Sequence, residues 1–323
     1  MLWWPRNPMV TRMIDLGDIK AARDRISEHI RRTPVLPVTN TSLPLGKGEL
    51  FLKLECMQVT GSFKARGATN KFLTMPKEAV RNGIVTASGG NHGIAVARAA
   101  TMAGVLATVF VPEAVTEEKI ARLRQWGAKV VRRGKIWNDS NALALNYAKE
   151  QDCAYFHPFA DPAVVAGQGT TALEFLEDAP IPDVMVVAIG GGGLISGMSI
   201  ALKALHPNVR IIGVEPTGSP TLKASLDAGR VVKLPEVTSR VATMSCGETD
   251  SGIFDLVQVH VDDVVLVDDE DILDACQWLW SELGIAADLS GAAAIAVLKS
   301  GKLRVEEGQK VAALICGAGS DGI

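Results

Sequence analysis

The chain has 323 residues, of which 47% are hydrophobic and 21% charged, so its composition is that of a globular protein with one large or two modest cores. Its formal net charge is only −3, with acidic and basic residues spread along the chain, which excludes the basic stripe that nucleic-acid binding requires. The five cysteines include no C-x-x-C pair, which argues against a disulfide framework and against a structural zinc site.

The start of the chain, Met1 to Met13, contains no apolar run long enough for a signal peptide, and no later run reaches the length of a membrane span. We therefore expect a soluble protein of the reducing cytoplasm, a compartment that also suits the cysteine pattern. The first segment with a helical pattern covers about Asp15 to His29.

A lysine lies between small residues and one aromatic residue in Gly61-Ser-Phe-Lys-Ala-Arg-Gly67. A lysine that forms a Schiff base must be neutral, and since the unperturbed pKa of lysine is about 10.4, it needs a desolvated site. Ser62 and Phe63 suit such a site around Lys64. Taken alone, however, Lys64 is more simply interpreted as a surface lysine at the start of a helix, so other parts of the chain must decide.

Short β-rich apolar runs alternate with helical patterns along the chain, which is typical of parallel α/β proteins. Two such series, separated by the prolines of His157-Pro-Phe-Ala-Asp-Pro162, predict two doubly wound domains that face a shared cleft. We expect residues 1–82 and 156–323 to form a large domain and residues 83–155 a small one. The expected strands begin near Gly83, Ala107, Lys129, Val184, Arg210 and Val311, and the expected helices cover Ile94 to Met102, Glu117 to Trp126, Asn138 to Glu150, Leu194 to Leu205 and Thr221 to Ala228.

A glycine-containing loop, Ser88-Gly-Gly-Asn-His-Gly93, follows the first of these strands and opens a helix. Its backbone N–H groups therefore lie at a helix N-terminus, where anions bind, and its two adjacent glycines let a small carboxylate approach the backbone. Ser88 adds a hydroxyl, and Asn91 offers an amide to a phenolate-like oxygen. On its own, the loop is equally well interpreted as a plain strand-to-helix turn, and His92 as a helix-start residue.

Four consecutive glycines, Gly190 to Gly193, lie between an apolar strand and an apolar helix, where bare N–H groups favour a phosphate. A flexible linker is a poor alternative because linkers lack such flanking elements. A dinucleotide-binding fold is a stronger one, since Gly191-x-Gly193-x-x-Ser196 approximates its fingerprint and Glu215 follows at about the usual distance. That alternative lacks the third glycine and leaves Lys64 without a role.

Cys316 ends the strand that begins at Val311 and leads into Gly-Ala-Gly-Ser-Asp, so its sulfur is expected at the carboxyl end of that strand. A lone cysteine is most often simply buried. No partner histidine that would make it a nucleophile is identifiable from the sequence.

In their order along the chain, these four segments resemble the fold-type II pyridoxal-phosphate enzymes, specifically the threonine/serine dehydratase and serine racemase group. The resemblance runs from about Asp15 to the end and includes the stretches His157 to Pro162 and Ala166-Gly-Gln-Gly-Thr-Thr-Ala-Leu-Glu174. It leaves no C-terminal regulatory domain of the kind found in biosynthetic threonine dehydratases. The implied fold is α/β and similar to the tryptophan synthase β subunit, with two doubly wound open-sheet domains and the cofactor in the cleft between them.

The resemblance also implies roles for individual residues. Lys64 carries pyridoxal phosphate and removes the α-proton, Phe63 packs near the cofactor ring, and Cys316 faces the pyridine nitrogen. A neutral thiol, with an unperturbed pKa of about 8.5, makes the ring a weaker electron sink than a carboxylate would, which favours elimination over transamination. Asn91 is implied to bind the ring hydroxyl, the residues implied to wrap the phosphate are Gly190, Gly191, Gly192, Gly193 and Leu194, and those implied to hold the substrate carboxylate are Ser88, Gly89, Gly90, Asn91 and His92.

The chain departs from this pattern at three places. Gly89 replaces the serine that racemases of the group use as a second, opposite-face base, so racemisation is disfavoured, and Gly89→Ser is expected to raise it. Thr221 stands where metal-binding members have an acidic residue, so a divalent-cation site at Glu215 and Ser219 is expected to be weak. Asp288-Leu-Ser-Gly291 replaces the family's Glu-Pro-Ala-Gly, which leaves the role of its aspartate open.

The predicted activity is the conversion of a small β-hydroxy amino acid, L-threonine or L-serine, to a 2-oxo acid and ammonia. Phe159 and Ser245-Cys-Gly-Glu248 are expected to line the pocket for the β-substituent. The alternatives are an amino-acid racemase such as a serine racemase, a dehydratase of another hydroxy amino acid such as 3-hydroxyaspartate, a catalytically silent amino-acid-binding relative and, from a different class, an NAD-binding oxidoreductase. The resemblance further implies a homodimer or homotetramer.

Overall fold

The computed structural model describes residues 13–135 and 137–323, so the N-terminal leader up to residue 12 lies outside the described residues. The helices are α1 (Leu16–Ile26), α2 (Lys64–Thr74), α3 (Lys77–Val80), α4 (Asn91–Ala103), α5 (Glu117–Gln125), α6 (Trp137–Glu150), α7 (Pro162–Asp178), α8 (Gly193–Leu205), α9 (Thr221–Ala228), α10 (Ser251–His260), α11 (Asp269–Leu283) and α12 (Leu289–Lys299). The strands are β1 (Val35–Pro37), β2 (Glu49–Lys53), β3 (Ile84–Ala87), β4 (Ala107–Val111), β5 (Lys129–Arg132), β6 (Ala154–Tyr155), β7 (Val184–Ala188), β8 (Arg210–Pro216), β9 (Asp263–Val267) and β10 (Lys310–Leu314). None of these helices combines the length and the apolar character that crossing a membrane requires.

The strands form two sheets, one for each series of elements recognised in the sequence. The larger sheet has the order β1-β2-β10-β7-β8-β9 and is parallel except for β1, which pairs antiparallel with β2. The smaller sheet has the order β5-β4-β3-β6 and is parallel throughout. Both confirm the expected α/β class with two open sheets. The proposed domain boundaries at 82/83 and 155/156 stay a prediction, which this separation of the strands supports.

The buried strands explain why the sequence reads as continuous apolar runs rather than as alternating ones. Every residue of β3, β4 and β7 is buried, because helices cover both faces of a parallel sheet. The helices begin at the expected capping residues. The Asp15 side chain accepts the N–H of Asp18 and caps α1. The Asp161 side chain accepts the N–H of Ala163 and caps α7, whose first residue is Pro162. The helical pattern over Asp15 to His29 is therefore confirmed as α1 followed by a short 3₁₀ turn.

Helix α7 packs directly against α2 and α8, the two helices that follow the lysine segment and the four-glycine loop. At Gly167 a Cβ atom would lie 2.7 Å from the Cα of Gly67 in α2, and at Gly169 it would lie 2.7 Å from the carbonyl oxygen of Gly197 in α8. Distances under 3 Å leave no room for a side chain, so backbone meets backbone at both contacts. The stretch that contains Ala166-Gly-Gln-Gly thereby holds α2 and α8 at a fixed separation.

A buried group of charges fastens α2 to α7 and to the end of β2. The Arg66 guanidinium binds Glu55 through Nε (2.8 Å) and Nη2 (2.7 Å), and it binds Glu174 through Nη1 (3.1 Å) and Nη2 (3.0 Å). Lys53 also binds Glu174, at 2.7 Å, and the Thr33 hydroxyl donates to Glu55. Two cations and two carboxylates balance each other in a place from which water is nearly excluded. Arg66, which lies at the centre of this charge cluster, follows Lys64 by two residues in α2.

Candidate active site

The segments singled out in the sequence meet at the carboxyl ends of parallel strands. Residues 88–90 follow β3, residues 189–192 follow β7, and Cys316 follows β10. Lys64 joins them because the Phe63 N–H donates to the carbonyl oxygen of Cys316 at 3.1 Å and Ser62 pairs with Gly317 in an antiparallel bridge. Open α/β sheets bind their ligands at this edge.

The Lys64 amine lies in a desolvated environment. Its Nζ donates to the carbonyl oxygen of Pro158 at 2.7 Å and lies 5.1 Å from the centroid of the Phe63 ring. In the described part of the chain no carboxylate forms an ion pair with it. Burial therefore lowers the pKa of Lys64 to about 8, far below that of an ordinary lysine. The sequence-based expectation of a desolvated lysine here agrees with this environment.

The four-glycine loop presents unused hydrogen-bond donors. Gly192 has φ +93° and begins α8 without a side-chain cap, and the N–H groups of residues 190–194 meet no acceptor among the described residues. A Cβ at Gly191 would overlap the Phe159 ring, and a Cβ at Gly190 would lie 3.0 Å from the carbonyl oxygen of Thr243. Phe159 and Thr243 thus pack against the loop, while its backbone N–H groups stay free to bind a ligand. This arrangement is typical of an anion site at a helix N-terminus.

The loop of residues 88–90 opens α4 in the same manner. Ser88 turns its hydroxyl toward the N–H of Gly90, at 3.3 Å, and no side chain caps α4. A Cβ at Gly90 would lie 3.3 Å from the methyl group of Thr243, so Thr243 contacts this loop as well as the four-glycine loop. A Cβ at Gly89 would lie 2.9 Å from Cγ2 of Val115. The two glycine loops therefore lie close together, on either side of Thr243.

A chain of hydrogen bonds connects Asn91 with Cys316. The Asn91 amide donates to one oxygen of the buried Asp288 carboxylate at 2.7 Å, and the Ser290 hydroxyl donates to the other oxygen at 2.7 Å. The Cys316 thiol in turn donates to the carbonyl oxygen of Ser290 at 3.3 Å. Gly317 lies beside this contact, because a Cβ there would come within 2.6 Å of Asp288 and 2.8 Å of Asn91.

The ionisation states within this chain follow from burial. Burial raises the pKa of the Cys316 thiol, with the nearby Asp288 carboxylate as a further cause, so the sulfur is protonated at neutral pH. Burial also raises the pKa of Asp288, although its hydrogen bonds from Ser290 and Asn91 oppose that shift. A neutral thiol at this position is what the resemblance implies, and its contact with a pyridine nitrogen stays a prediction.

Two histidines near Lys64 are neutral. Burial lowers the pKa of His92 well below its usual range, and the charge of Lys64 lowers it further. The ring of His92 lies with Nε2 3.2 Å from the carbonyl oxygen of Phe156. Burial also lowers the pKa of His157 to about 4, and its Nδ1 accepts the N–H of Ala160 at 2.9 Å. His92 is thus buried behind the loop, and its predicted contact with a substrate stays a prediction.

The residues expected to line the pocket for a β-substituent have separate positions. The Phe159 ring packs against Gly191 and meets the His157 ring edge-on at a centroid distance of 4.6 Å. Burial raises the pKa of the Cys246 thiol to about 11, so this thiol is neutral at neutral pH. Phe159 therefore supports the four-glycine loop, and a contact of Phe159 or Cys246 with a β-substituent stays a prediction.

The residues of the expected weak metal site are engaged in other bonds. The two carboxylate oxygens of Glu215 accept the N–H groups of Leu222 (2.8 Å) and Lys223 (2.9 Å) at the start of α9, and burial raises the pKa of Glu215 to about 7. The Ser219 hydroxyl lies 3.1 Å from the carbonyl oxygen of Cys246. Over residues 13–135 and 137–323, no three His, Cys, Asp or Glu side chains are grouped as metal ligands would be. A cation at Glu215 and Ser219 stays a prediction.

Three features of the site are missed by the sequence analysis. The contact between Asp288 and Asn91 joins residues 197 positions apart, and Thr243 belongs to a segment without a regular pattern. Val115 looks like an ordinary loop residue. Only Asp288 gives a local signal, because an aspartate just before an apolar run is typical of a helix N-cap. In the structure its carboxylate accepts the N–H of Gly291, three residues further on.

The chain as a whole is similar to several known proteins. The model of a family described as pyridoxal-phosphate dependent enzyme matches residues 26–317. The chain is 39% identical over 312 residues to an L-threonine ammonia-lyase of Thermotoga maritima, a match that covers 96% of this chain and 76% of that relative. Among solved structures it resembles maize serine racemase (TM-score 0.90, 32% identity, 95% of this chain and 94% of that one) and the threonine deaminase of T.th. (TM-score 0.86, 36% identity, 94% of this chain and 98% of that one).

Proposed function

The chain belongs to the family of pyridoxal-phosphate-dependent enzymes, and we propose that it removes water from a small β-hydroxy amino acid, L-threonine or L-serine, and releases a 2-oxo acid and ammonia. Relatives named for threonine ammonia-lyase activity and for serine racemase activity both match almost the whole chain. Family membership overturns the alternative of an NAD-binding oxidoreductase built on Gly191 to Glu215. The choice between elimination and racemisation rests on the site itself.

The residues present fit pyridoxal phosphate. The free N–H groups of Gly190 to Gly193 and Leu194 suit its phosphate, and the desolvated amine of Lys64 suits a bond to its aldehyde carbon. Asn91 uses one amide hydrogen on Asp288 and keeps the other for the ring hydroxyl. The neutral thiol of Cys316 suits an unprotonated ring nitrogen.

The proposed mechanism assigns separate tasks to these residues. When bound, the cofactor supplies an electron-withdrawing ring that makes the α-hydrogen of the amino acid acidic enough to remove. The backbone of residues 89–92 holds the substrate carboxylate, and Lys64, neutral because it is desolvated, takes the α-proton. Asp288 fixes the orientation of Asn91, and Phe63 and Phe159 exclude water from the amine and the loop. Overall, the α-proton and the β-hydroxyl leave as one water molecule. The resulting enamine tautomerises to an imine, whose hydrolysis takes up one water molecule and gives the 2-oxo acid and ammonia.

The observation that carries elimination over racemisation is the environment of Gly89. Racemisation needs a second group that delivers a proton to the face opposite the base. Gly89 offers no such group, and the side chain nearest to its Cβ position is the apolar Val115. With Lys64 on one face and no proton donor at residue 89, the α-proton is removed and elimination follows.

A panel of β-hydroxy amino acids tests this proposal. The cofactor-loaded protein is expected to release 2-oxo acid from L-threonine or L-serine faster than from 3-hydroxyaspartate, and to convert L-serine to D-serine at less than about a tenth of its elimination rate, since no second proton donor lies at residue 89. Oxo-acid release and chiral chromatography measure the two rates. Racemisation as fast as elimination, or preference for 3-hydroxyaspartate, would contradict the proposal.

The low pKa of Lys64 gives a pH-dependent expectation for the cofactor-free protein. Lysine reacts with aldehydes only when neutral, so reductive methylation of Lys64 should speed up about tenfold per pH unit and level off above about pH 8. Ordinary lysines in the same sample should keep accelerating to about pH 10.4. Peptide mass spectrometry of samples methylated between about pH 6 and 11 measures both. A Lys64 profile that follows the ordinary lysines would refute a desolvated amine.

The cytoplasmic location remains a proposal that rests on the cysteine pattern. The homodimer or homotetramer and the weak metal site remain proposals carried by the resemblance. The large and small domains are likewise proposed, with the cofactor between the two sheets.

A further inference from the structure

We infer that Val115 is a specificity-determining residue, because it closes the space in which a proton donor at residue 89 would have to stand. This inference rests on the proposed function and refines it. Racemisation is then suppressed in favour of elimination by Gly89 and Val115 together, and not by the absence of a side chain at residue 89 alone.

The distances around Gly89 are the first support. A Cβ atom at Gly89 would lie 2.9 Å from Cγ2, 3.1 Å from Cγ1 and 3.6 Å from Cβ of Val115. Real Cβ atoms essentially never come within 3.0 Å of a neighbour, so the Val115 side chain or one of the two backbone segments must shift before residue 89 can carry a side chain. Both methyl groups of the valine face the same point, so a rotation about χ1 does not clear it.

The second support is that Val115 cannot easily retreat. Valine is branched at Cβ and restricted in χ1, and its side chain packs on the core of the smaller sheet. Its turn is fastened by Arg132, whose Nη2 donates to the carbonyl oxygen of Val115 and whose Nε donates to that of Glu113, both at 2.8 Å. The Val115 N–H also donates to the Pro112 carbonyl oxygen at 3.1 Å.

The third support is the chemistry that the valine excludes. In racemisation the α C–H bond breaks on one face as its proton moves to the Lys64 amine, and a new C–H bond forms on the other face with a proton from a second group. A serine hydroxyl at residue 89 would give that proton and recover one from water, while Lys64 passes the proton that it took from the α-carbon to water. Protons therefore balance, and nothing is oxidised or reduced. Val115 offers only C–H bonds, so the second transfer has no donor there.

This contact changes the expectation for Gly89→Ser. The single substitution should not install racemase activity, because the new side chain overlaps Val115. The double variant Gly89→Ser/Val115→Ala should, because alanine removes both methyl groups. Val105, which packs on the same apolar core, supplies the matched control Gly89→Ser/Val105→Ala.

The test has one readout that needs no catalysis. In the cofactor-free protein, Gly89→Ser is expected to lower the melting temperature by about 2–5 °C through overpacking. Val115→Ala in the same chain should restore most of that loss, whereas Val105→Ala should add its own loss. Additive effects of Gly89→Ser and Val115→Ala would show that the two positions do not compete for space, which overturns the inference.

The second readout is the ratio of racemisation to elimination on L-serine with the cofactor-loaded protein. We expect the ratio to rise at least about tenfold in Gly89→Ser/Val115→Ala and to stay within about twofold of the parent in Gly89→Ser and in the Val105 control. An equal rise in the single variant, or an unchanged ratio in a double variant that melts like the parent, overturns the role of Val115.

Failure of the proposed function has a different signature. If the parent protein releases no 2-oxo acid from any member of the substrate panel, the dehydratase proposal fails. The melting temperatures still report whether Val115 closes the space beside Gly89.

Discussion

Replacing Lys64 by alanine is expected to reduce the release of 2-oxo acid by at least about 10³-fold, because it removes the amine that we propose both to transfer the α-proton and to attach the cofactor. The amine is desolvated, with a pKa of about 8, and among the described residues no carboxylate keeps it charged. A side chain without nitrogen leaves the surrounding loops intact but without the group that they surround. Turnover is measured as oxo-acid release under saturating substrate.

The same variant should lose the visible absorption band of a cofactor bound to lysine. Lys77→Ala is the matched control, because Lys77 is an exposed residue of α3 that takes no part in the site. Its turnover and absorption should equal those of the parent. If Lys64→Ala kept more than about a tenth of the parent turnover, another residue would have to carry the proton and the assignment of Lys64 would be wrong.

Arg66→Met is expected to lower the free energy of unfolding by about 3–5 kcal/mol, the usual result when one partner is removed from a buried group of charges. Methionine fills much of the volume but leaves the carboxylates of Glu55 and Glu174 with Lys53 as their only nearby cation in this cluster. One buried negative charge is then uncompensated. Chemical denaturation of the parent and the variant measures this difference, provided that the slope of the unfolding free energy against denaturant concentration is the same for both.

Arg32→Met is the matched control for this second variant. Arg32 also binds two carboxylates, Glu177 at 2.9 Å and Asp178 at 2.5 Å, but its side chain is 55% exposed. Exposed ion pairs contribute about 0–1 kcal/mol, so the control should change the unfolding free energy by less than that amount. Equal losses in the two variants would mean that burial does not determine the strength of the cluster around Arg66.

The sequence predicts the parts of the site that depend on local chemistry. Gly190 to Gly193 and Ser88 to Gly93 are recognisable because a strand-to-helix turn with bare N–H groups has its own residue pattern. Lys64 needs those loops as context, since one lysine among small residues is ambiguous. The alternation of apolar runs likewise indicates two sheets, and each predicted strand is found within one or two residues of its expected start.

The remaining contacts depend on strand register, which the residue pattern does not fix. Gly89 and Val115 meet because β3 and β4 pair in parallel with Ala87 opposite Phe110, so that both loops leave the sheet at the same edge. A shift of the pairing by one residue would turn every side chain of the strand to the other face. Asn91 and Asp288 meet across the two sheets, a contact that no local signal specifies.

The glycine contacts of α7 with α2 and α8 have a consequence for how the enzyme adapts to substrates. Because these helices touch through their backbones, Lys64 and the four-glycine loop are expected to behave as one rigid unit during turnover. Entry of an amino acid and release of its product must then be accommodated by the smaller sheet and its loops. Substitutions that broaden the substrate range should therefore succeed around residues 88–90 and 112–116, whereas a side chain larger than hydrogen at Gly167 would force α2 and α7 apart.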